Sequence, residues 1–137
     1  MGYSLGSVLS LLALNVDPLI DFGILGIGAC ELSGLIWDNV ITIHLKKRLL
    51  DLGIDREDLQ KAWSIADSKV LKINIEPDKV LMFSTRYDEV LRPKYQDMLW
   101  NILNRPKRIW LPSGHYSSFL FFNKLVNESV KFIQSKI

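Results

Sequence analysis

The sequence predicts an α/β fold in which a parallel sheet of three strands is flanked by helices. Amphipathic helix patterns alternate with short apolar runs along the chain, which is typical of strands joined by helical crossovers. The apolar runs are nearly continuous, as expected for parallel strands that are covered on both faces. With 137 residues, the chain is long enough for one domain with its own core and short for two.

The N-terminal part predicts a helix followed by the first strand. Apolar residues cover most of the helix circumference between Ser4 and Leu14, so we expect this helix to be buried on more than one face. A turn signal at residues 15–18 ends the helix. The segment Leu19–Cys30 is rich in Ile, Leu and Phe, and it predicts a central strand of the sheet.

A helical excursion is predicted between the first and second strands, over residues of about 40–68. Its first helix runs from Thr42 to Leu52 and stops at Gly53, which suits a position just past a helix end. Its second helix starts at Asp55, whose carboxylate is a good cap for the first N–H groups. Such excursions often shape the roof of a pocket, and simple packing explains this one equally well.

The C-terminal part predicts two further strands and two helices. Lys79–Thr85 is a short apolar run that predicts the second strand. Pro93 stands in the first turn of the next helix, where its missing N–H costs nothing. Lys107–Leu111 predicts the last strand, and a final helix covers residues of about 118–135.

Composition and charge narrow the classes of function. The formal net charge of +2, with basic and acidic residues interspersed, gives no electrostatic case for nucleic-acid binding. One cysteine, Cys30, excludes an internal disulfide, and two histidines offer no metal-ligand spacing, so we expect neither a metal nor another cofactor. The hydrophobic share of 48% is high for a soluble chain of this size, which indicates apolar surface that is covered from elsewhere.

The apolar segment from Leu5 to Trp37 raises the question of a membrane span or a signal peptide. Asp17, Pro18 and Asp21 interrupt it and leave only shorter apolar pieces. Neither a basic region nor a small-residue cleavage site precedes the segment. We therefore expect no membrane span and a cytoplasmic location.

The stretch Gly2-Tyr3-Ser4-Leu5-Gly6 sets a serine between two glycines, directly ahead of the first helix. Glycines let a strand and a helix approach closely while the hydroxyl projects from the bend, which suits an acyl-transfer nucleophile. The same pattern arises readily by chance, and an ordinary Gly/Ser helix cap is the alternative. The interpretation as a nucleophile therefore depends on partners elsewhere in the chain.

Two further polar residues follow predicted strands: Asp88 after the second, and His115 in the loop after the last. Because the carboxyl ends of parallel strands open on the same edge, we expect Ser4, Asp88 and His115 to meet there. His115 would take the Ser4 proton, and Asp88 would orient the imidazole. The backbone N–H of Leu5 would contribute to an oxyanion hole. Taken separately, each side chain has a plain alternative: a helix cap, a turn cap and a packed loop histidine.

The three candidate residues occur along the chain in the order Ser, Asp, His. With this order, the motifs that carry them resemble the C-terminal half of the α/β-hydrolase superfamily. Gly2–Gly6 is similar to the nucleophile elbow, Val80–Val90 to the acid-bearing strand and loop, and Ser113–Ser117 to the histidine loop. The resemblance covers essentially the whole chain. It implies a serine hydrolase of carboxylic esters, of esterase or lipase type, that acts through an acyl-serine intermediate and uses the three polar residues above as its catalytic groups.

Complete members of this superfamily have several strands before the elbow. The resemblance therefore implies a partial domain over residues 1–137 whose activity needs a missing N-terminal half. The strand within residues 19–30 is then left without a neighbour, so we expect a homo-oligomer or a complementary N-terminal fragment at the open sheet edge. The alternative is a catalytically inactive relative that serves as a binding or assembly module.

The substrate is indicated only by its class, a small-molecule carboxylic ester. Trp37, Trp63 and Tyr116 favour a pocket for a hydrophobic acyl group. Core packing explains these aromatic side chains equally well, so the identity of the ester stays open.

Overall fold

The computed structural model describes all 137 residues and has an α/β architecture built on a parallel sheet of four strands. The strands are β1 (Gly2–Tyr3), β2 (Gly23–Gly26), β3 (Val80–Thr85) and β4 (Lys107–Leu111), and they lie in that order across the sheet. The predicted α/β class and parallel sheet are confirmed, but the predicted count of three strands is wrong. The additional strand is β1, which pairs with Leu25 and Gly26 and is too short to show a periodic pattern in the sequence. The strand within residues 19–30 therefore has a neighbour, contrary to expectation, and the open edge of the sheet belongs to β1.

Six α-helices and three short 3₁₀ helices connect and flank the strands. The α-helices are α1 (Leu5–Val16), α2 (Leu32–Trp37), α3 (Ile43–Asp51), α4 (Arg56–Trp63), α5 (Pro93–Ile102) and α6 (Phe122–Gln134). The 3₁₀ helices cover Val40–Thr42, Pro77–Lys79 and Tyr116–Phe121. None of the helices has the length and hydropathy that a membrane span requires.

Helices cover both faces of the sheet and form two apolar clusters. On one face, α1 and α5 pack on β2 and β3 through Leu11, Leu14, Leu25, Cys30, Val80, Met82, Leu99 and Leu103. On the other face, α6 packs through Ile24, Leu81, Phe83, Leu111, Leu125 and Phe132. Successive residues of β3 alternate between the two clusters, as side chains on a strand do, and every residue of this strand is buried. β3 is therefore the central strand of the core.

Only one face of α1 is buried, which corrects the expectation of burial on more than one face. Its buried residues are Ser7, Leu11 and Leu14, which face the sheet. Leu5 and Leu9 are 68% and 61% exposed on the opposite side. More of the apolar surface of α1 is therefore present than the chain itself covers, and Leu5 and Leu9 leave an exposed apolar strip along this helix.

The strand predicted over residues 19–30 shrinks to the four residues of β2. At Ile27 the backbone takes a φ of 53° and the chain turns away from the sheet toward α2, a helix that the sequence does not predict. The carboxylate of Asp67 caps α2 by accepting the backbone N–H groups of Glu31 and Leu32 at 2.9 Å each. Because this cap comes from 35 residues beyond Leu32, no local start signal marks α2.

Residues 40–68, where the sequence predicts a helical excursion, contain α3 and α4 between β2 and β3. The predicted cap at Asp55 is confirmed, since its carboxylate accepts two N–H groups in the first turn of α4. α2 packs against both helices, and an ion pair of 2.6 Å between Arg56 and Glu31 joins α4 to the start of α2. The three helices therefore form one unit, which packs beside the turn between β1 and α1.

Candidate active site

Ser4 occupies the sharp turn between β1 and α1. Its backbone has φ 53° and ψ −120°, a conformation that a residue other than glycine adopts only where the surrounding structure imposes it. Three hydrogen bonds hold this backbone: Ser4 N–H donates to the Gly26 carbonyl at 2.8 Å, and the Ser4 carbonyl accepts the Ser7 backbone N–H at 2.9 Å and the Ser7 hydroxyl at 2.6 Å. The backbone strain of the turn is thus located at the serine itself.

The two glycines that flank Ser4 differ in what the structure requires of them. A Cβ atom at Gly2 would lie 1.9 Å from the carbonyl oxygen of Gly6 and 2.4 Å from the Ser10 hydroxyl, so no side chain fits there. A Cβ atom at Gly6 would meet no heavy atom within 4 Å. The close approach of β1 and α1 therefore depends on the first glycine of the motif, and packing does not require the second.

A chain of hydrogen bonds joins Ser4 to His115 and His115 to Asp88. Ser4 Oγ lies 3.1 Å from His115 Nε2, and His115 Nδ1 lies 3.0 Å from Asp88 Oδ2. The side chains of His115 and Asp88 are only 10% and 0% exposed. The structure therefore brings together the three side chains that the sequence predicts to meet at the carboxyl edge of the sheet.

Asp88 is buried and accepts four hydrogen bonds. Its Oδ1 accepts the backbone N–H groups of Val90 at 2.9 Å and Leu91 at 2.7 Å, and its Oδ2 accepts the Thr85 hydroxyl at 2.8 Å in addition to His115. Burial alone would raise the pKa of Asp88, but the hydrogen bonds from His115, Leu91 and Thr85 outweigh it and hold the pKa below its ordinary value. Asp88 is therefore a carboxylate at neutral pH.

The ionised carboxylate fixes the state of the histidine ring. Because Asp88 can only accept, the proton of the His115 imidazole resides on Nδ1, and the Nε2 lone pair faces the Ser4 hydroxyl. In this tautomer the Ser4 hydroxyl donates to Nε2. The arrangement is the one in which a histidine can remove a hydroxyl proton and a carboxylate can stabilise the resulting imidazolium.

Tyr3 and Ser118 connect the serine turn to the histidine loop. The Ser118 hydroxyl donates to the His115 carbonyl, so the Tyr3 hydroxyl is left to donate to Ser118 Oγ. The Tyr3 ring also stacks on Phe119, with ring centroids 5.2 Å apart, and burial raises the pKa of the Tyr3 phenol. The residue before Ser4 and the loop that carries His115 are therefore held together independently of the Ser4–His115 contact.

Leu5, the predicted oxyanion-hole residue, is the first residue of α1. The first N–H groups of a helix have no intrahelical acceptor and carry the positive end of the helix dipole. The Leu5 N–H is therefore a donor positioned directly after the serine. A negative oxygen formed next to Ser4 Oγ would be stabilised at this end of α1.

Two cavities flank the Ser4–His115 pair. The one beside Ser4 has a volume of about 170 Å³, and eight of its nine lining residues are hydrophobic, including Leu35, Trp63 and Leu91. The one beside His115 has a volume of about 270 Å³ and is more polar, with Glu89 and Tyr116 on its wall. Of the three aromatic residues considered for an acyl pocket, Trp63 lines the cavity at the serine, Tyr116 lines the other cavity, and Trp37 lines neither.

Thr85, Gln96 and Ser118 support the site, and the sequence does not predict them as functional residues. Thr85 could have been suspected, because it ends β3 three residues before Asp88. Gln96 lies on α5 and Ser118 in the 3₁₀ helix after His115. Gln96 and Ser118 make contacts between separate elements, so no spacing in the sequence indicates that these two residues support the site.

The comparison with known proteins places the chain in a family. No known protein-family profile matches it. The uncharacterized protein YdjC of Bacillus subtilis strain 168 is 30% identical over 109 residues, which are 80% of this chain and 94% of YdjC. The chain belongs to the YdjC family. This family name states relatedness and no activity, so any functional conclusion has to come from the geometry of the site.

Two solved structures share the fold of this YdjC-family chain. A hydrolase from Pseudomonas aeruginosa PA01 has a TM-score of 0.60 and 16% identity over 96% of this chain and 63% of its own. The meta-cleavage product hydrolase CumD from Pseudomonas fluorescens IP01 has a TM-score of 0.55 and 16% identity over 99% of this chain and 64% of its own. These likenesses show that the fold is α/β-hydrolase-like. The chain spans less than two thirds of the length of either hydrolase.

We expect Asp88→Asn to lower the free energy of unfolding by roughly 1 to 3 kcal/mol at neutral pH, because it removes the charge that four donors satisfy. The pKa of Asp88 in the folded state lies below the ordinary value of 3.8. The carboxylate of Asp88 therefore contributes its full stabilisation above pH 3.8, and this contribution is lost as the pH falls through the lowered pKa. Urea denaturation of both proteins from neutral to acid pH measures this difference.

The control for this prediction is Asp51→Asn, which changes an exposed carboxylate at the end of α3 and should leave the free energy of unfolding within about 0.5 kcal/mol of the unmodified chain. A deficit in Asp88→Asn that stays constant down to the lowest pH would contradict a stabilising carboxylate at Asp88.

Proposed function

We propose that this chain is a serine hydrolase of carboxylic esters that works through an acyl-Ser4 intermediate. The observation that carries the proposal is the continuous set of hydrogen bonds from Ser4 Oγ through His115 to the buried Asp88, at 3.1 and 3.0 Å. Position supports the proposal as well, because the serine stands at a strained turn ahead of a helix N-terminus. The likeness to two hydrolase structures supports the general class of reaction.

In the first half of the reaction, Ser4 Oγ attacks the ester carbonyl carbon while His115 Nε2 accepts the hydroxyl proton. Asp88 stabilises the imidazolium through Nδ1–H. The carbonyl oxygen becomes an oxyanion, and the Leu5 N–H at the start of α1 donates to it. When the carbon–oxygen bond to the alcohol breaks, the imidazolium returns its proton to the departing alkoxide, and the acyl group stays on Ser4.

In the second half of the reaction, water replaces the alcohol. His115 Nε2 removes a proton from the water molecule as its oxygen attacks the acyl-serine carbonyl carbon. The bond between that carbon and Ser4 Oγ then breaks, and the imidazolium returns the proton to Ser4. The carboxylic acid leaves, and the site is restored to the tautomer described above.

The two cavities support an orientation for the ester. The apolar cavity of about 170 Å³ adjoins Ser4 and Leu5 and suits the hydrocarbon part of the acyl group. The cavity of about 270 Å³ has His115 on its wall, which is where the protonated alcohol is released. We therefore propose a small apolar acyl group as the part of the substrate that the site selects.

A second candidate function is a binding or assembly module without activity of its own. Two observations favour association: β1 has no strand partner on its outer edge, and Leu5 and Leu9 on α1 are exposed. An open edge of this kind pairs with a second copy of the chain or with a complementary N-terminal fragment. In the hydrolase interpretation, the same partner would supply a second oxyanion donor, whose absence typically costs about 100- to 1000-fold in rate.

We expect a fluorophosphonate probe to label the unmodified chain and to leave Ser4→Ala unlabelled, because the probe reacts with an activated serine. The rate of labelling should fall by about 10⁴-fold in His115→Ala. The matched controls are Ser64→Ala, at the end of α4, and His44→Ala, on the exposed side of α3, which should label normally. Mass spectrometry of the intact chain measures the labelled fraction.

Two results of the labelling experiment would decide against the hydrolase. Label retained in Ser4→Ala would remove Ser4 as the nucleophile. A folded but unlabelled unmodified chain, alone and with any partner that it recruits, would leave the binding or assembly module as the function.

We expect Trp63→Ala to shift the preference among p-nitrophenyl esters from acetate and butyrate toward octanoate, because it opens the cavity beside Ser4. The ratio of kcat/KM for octanoate over acetate should rise by about 10-fold or more. The control is Trp110→Ala on β4, whose ring packs against Arg86 and Arg108 and lines neither cavity. An unchanged ratio in Trp63→Ala would contradict the assignment of the acyl cavity.

We expect light scattering to report a mass above that of one chain, because the outer edge of β1 and the exposed face of α1 lack a partner within the chain. Leu9→Lys should reduce this association by placing a charge on that face. Leu52→Lys, at the end of α3 and equally exposed, is the control that should leave the mass unchanged. A monodisperse monomer in all three samples would contradict association through this edge.

A further inference from the structure

Gln96 is a buried amide on α5 that contacts both ends of the loop carrying Asp88. Its side chain is 0% exposed. Gln96 Oε1 accepts the Thr85 backbone N–H at 3.0 Å, and Nε2 donates to the Thr85 hydroxyl at 3.1 Å and to the Leu91 carbonyl at 2.6 Å. The acceptor and both donor hydrogens of the amide are therefore used, and all of them point at residues that themselves bind Asp88.

The end of β2 explains why an amide is needed at this place. The last pair between β2 and β3 joins Gly26 to Phe83, and the Ile27 N–H still donates to the Phe83 carbonyl at 2.8 Å. Thr85 lies two residues beyond Phe83 on β3, so its backbone N–H faces the same side as the Phe83 carbonyl. β2 has already ended at this level and offers no acceptor. Gln96 Oε1 takes the place of the missing strand and satisfies an N–H that would otherwise be buried without a partner.

The amide also sets the direction of the Thr85 hydroxyl. That hydroxyl has one proton, and its oxygen already accepts a hydrogen from Gln96 Nε2, so the proton is directed to Asp88 Oδ2 at 2.8 Å. The same carboxylate oxygen receives the His115 Nδ1–H at 3.0 Å. At the other end of the loop, Gln96 Nε2 donates to the Leu91 carbonyl. The N–H of Leu91 in turn donates to Asp88 Oδ1 at 2.7 Å.

We propose that Gln96 is a positioning residue for the Ser4–His115–Asp88 site: by orienting the Thr85 hydroxyl and closing the loop at Leu91, it holds Asp88 Oδ2 in line with His115 Nδ1. The kinetic part of this inference rests on the proposed hydrolase function, whereas the structural part does not. Gln96 lines neither of the two cavities, so it acts on the reaction through Thr85 and Asp88 and not on the substrate.

The consequence for catalysis is a loss of turnover with little change in substrate binding. Without the Gln96 donor, the Thr85 hydroxyl is free to rotate away from Asp88, and the loop is no longer tied at Leu91. A displaced carboxylate leaves the imidazole poorly oriented, and misplacement of about 1 Å costs on the order of 100-fold in rate. Because no cavity wall changes, KM should stay within about twofold of the unmodified chain.

The test uses Gln96→Met, which keeps the length of the side chain and removes its hydrogen bonds, together with Thr85→Val and the double variant. We expect kcat for p-nitrophenyl butyrate to fall by about 10- to 100-fold in each single variant. Gln96 acts partly through the Thr85 hydroxyl. The fold-loss of kcat in the double variant should therefore be well below the product of the two single fold-losses. The control is Leu103→Ala, which opens the core just beyond the end of α5 and should destabilise the chain without a comparable loss of kcat.

A second readout needs no turnover. The carbon-13 resonance of the Asp88 carboxyl reports the titration of this group, which faces the titratable side chains of His115 and Tyr3. Removal of the Thr85 and Leu91 constraints should move the Asp88 midpoint to a higher pH in Gln96→Met and Thr85→Val. Thr85→Ser, which retains the hydroxyl, should restore both the midpoint and kcat to near the unmodified values.

Three outcomes would overturn the proposal. They are an unchanged Asp88 titration in Gln96→Met, strictly multiplicative effects in the double variant, and a loss of kcat in Leu103→Ala equal to that in Gln96→Met. If the unmodified chain neither labels nor turns over, the hydrolase function fails, and the titration alone still decides the role of Gln96. If Gln96→Met does not fold, the comparison of Thr85→Val with Thr85→Ser decides it.

Discussion

The buried carboxylate of Asp88 is the constraint on which the rest of the site depends. A charge in the interior of a protein is tolerated only when hydrogen bonds replace its hydration. Four donors do so here, and they come from the end of β3, from the loop that follows it and from the histidine loop. Satisfying this one group therefore fixes the relative positions of segments that are distant in the sequence.

The parallel sheet determines where these segments meet. Ser4 follows β1, Asp88 follows β3 and His115 follows β4, and the carboxyl ends of parallel strands lie at a common edge. Two apolar clusters hold the strands from both faces, so the polar residues at the edge sit on a rigid support. The unit formed by α2, α3 and α4 packs beside the same edge and supplies the apolar wall next to the serine.

Several features were predictable because their causes are local. The apolar run of β3, the cap at Asp55 and the G-x-S-x-G turn each depend on residues within a few positions of one another. The errors also have a common cause. α2 begins where Asp67 caps it from a distance, β1 is recognised only through its pairing with β2, and β2 ends at the unusual backbone of Ile27.

The sequence by itself determined the class of fold and the residues capable of chemistry, because hydrophobic periodicity and residue type are properties of the chain alone. Only the tertiary structure decided that Ser4 and His115 lie within hydrogen-bond distance, that the first glycine is indispensable while the second is not, and that Gln96 belongs to the site. The physical reason is that burial, hydrogen-bond direction and steric exclusion are relations between elements, and they come into existence when the chain folds.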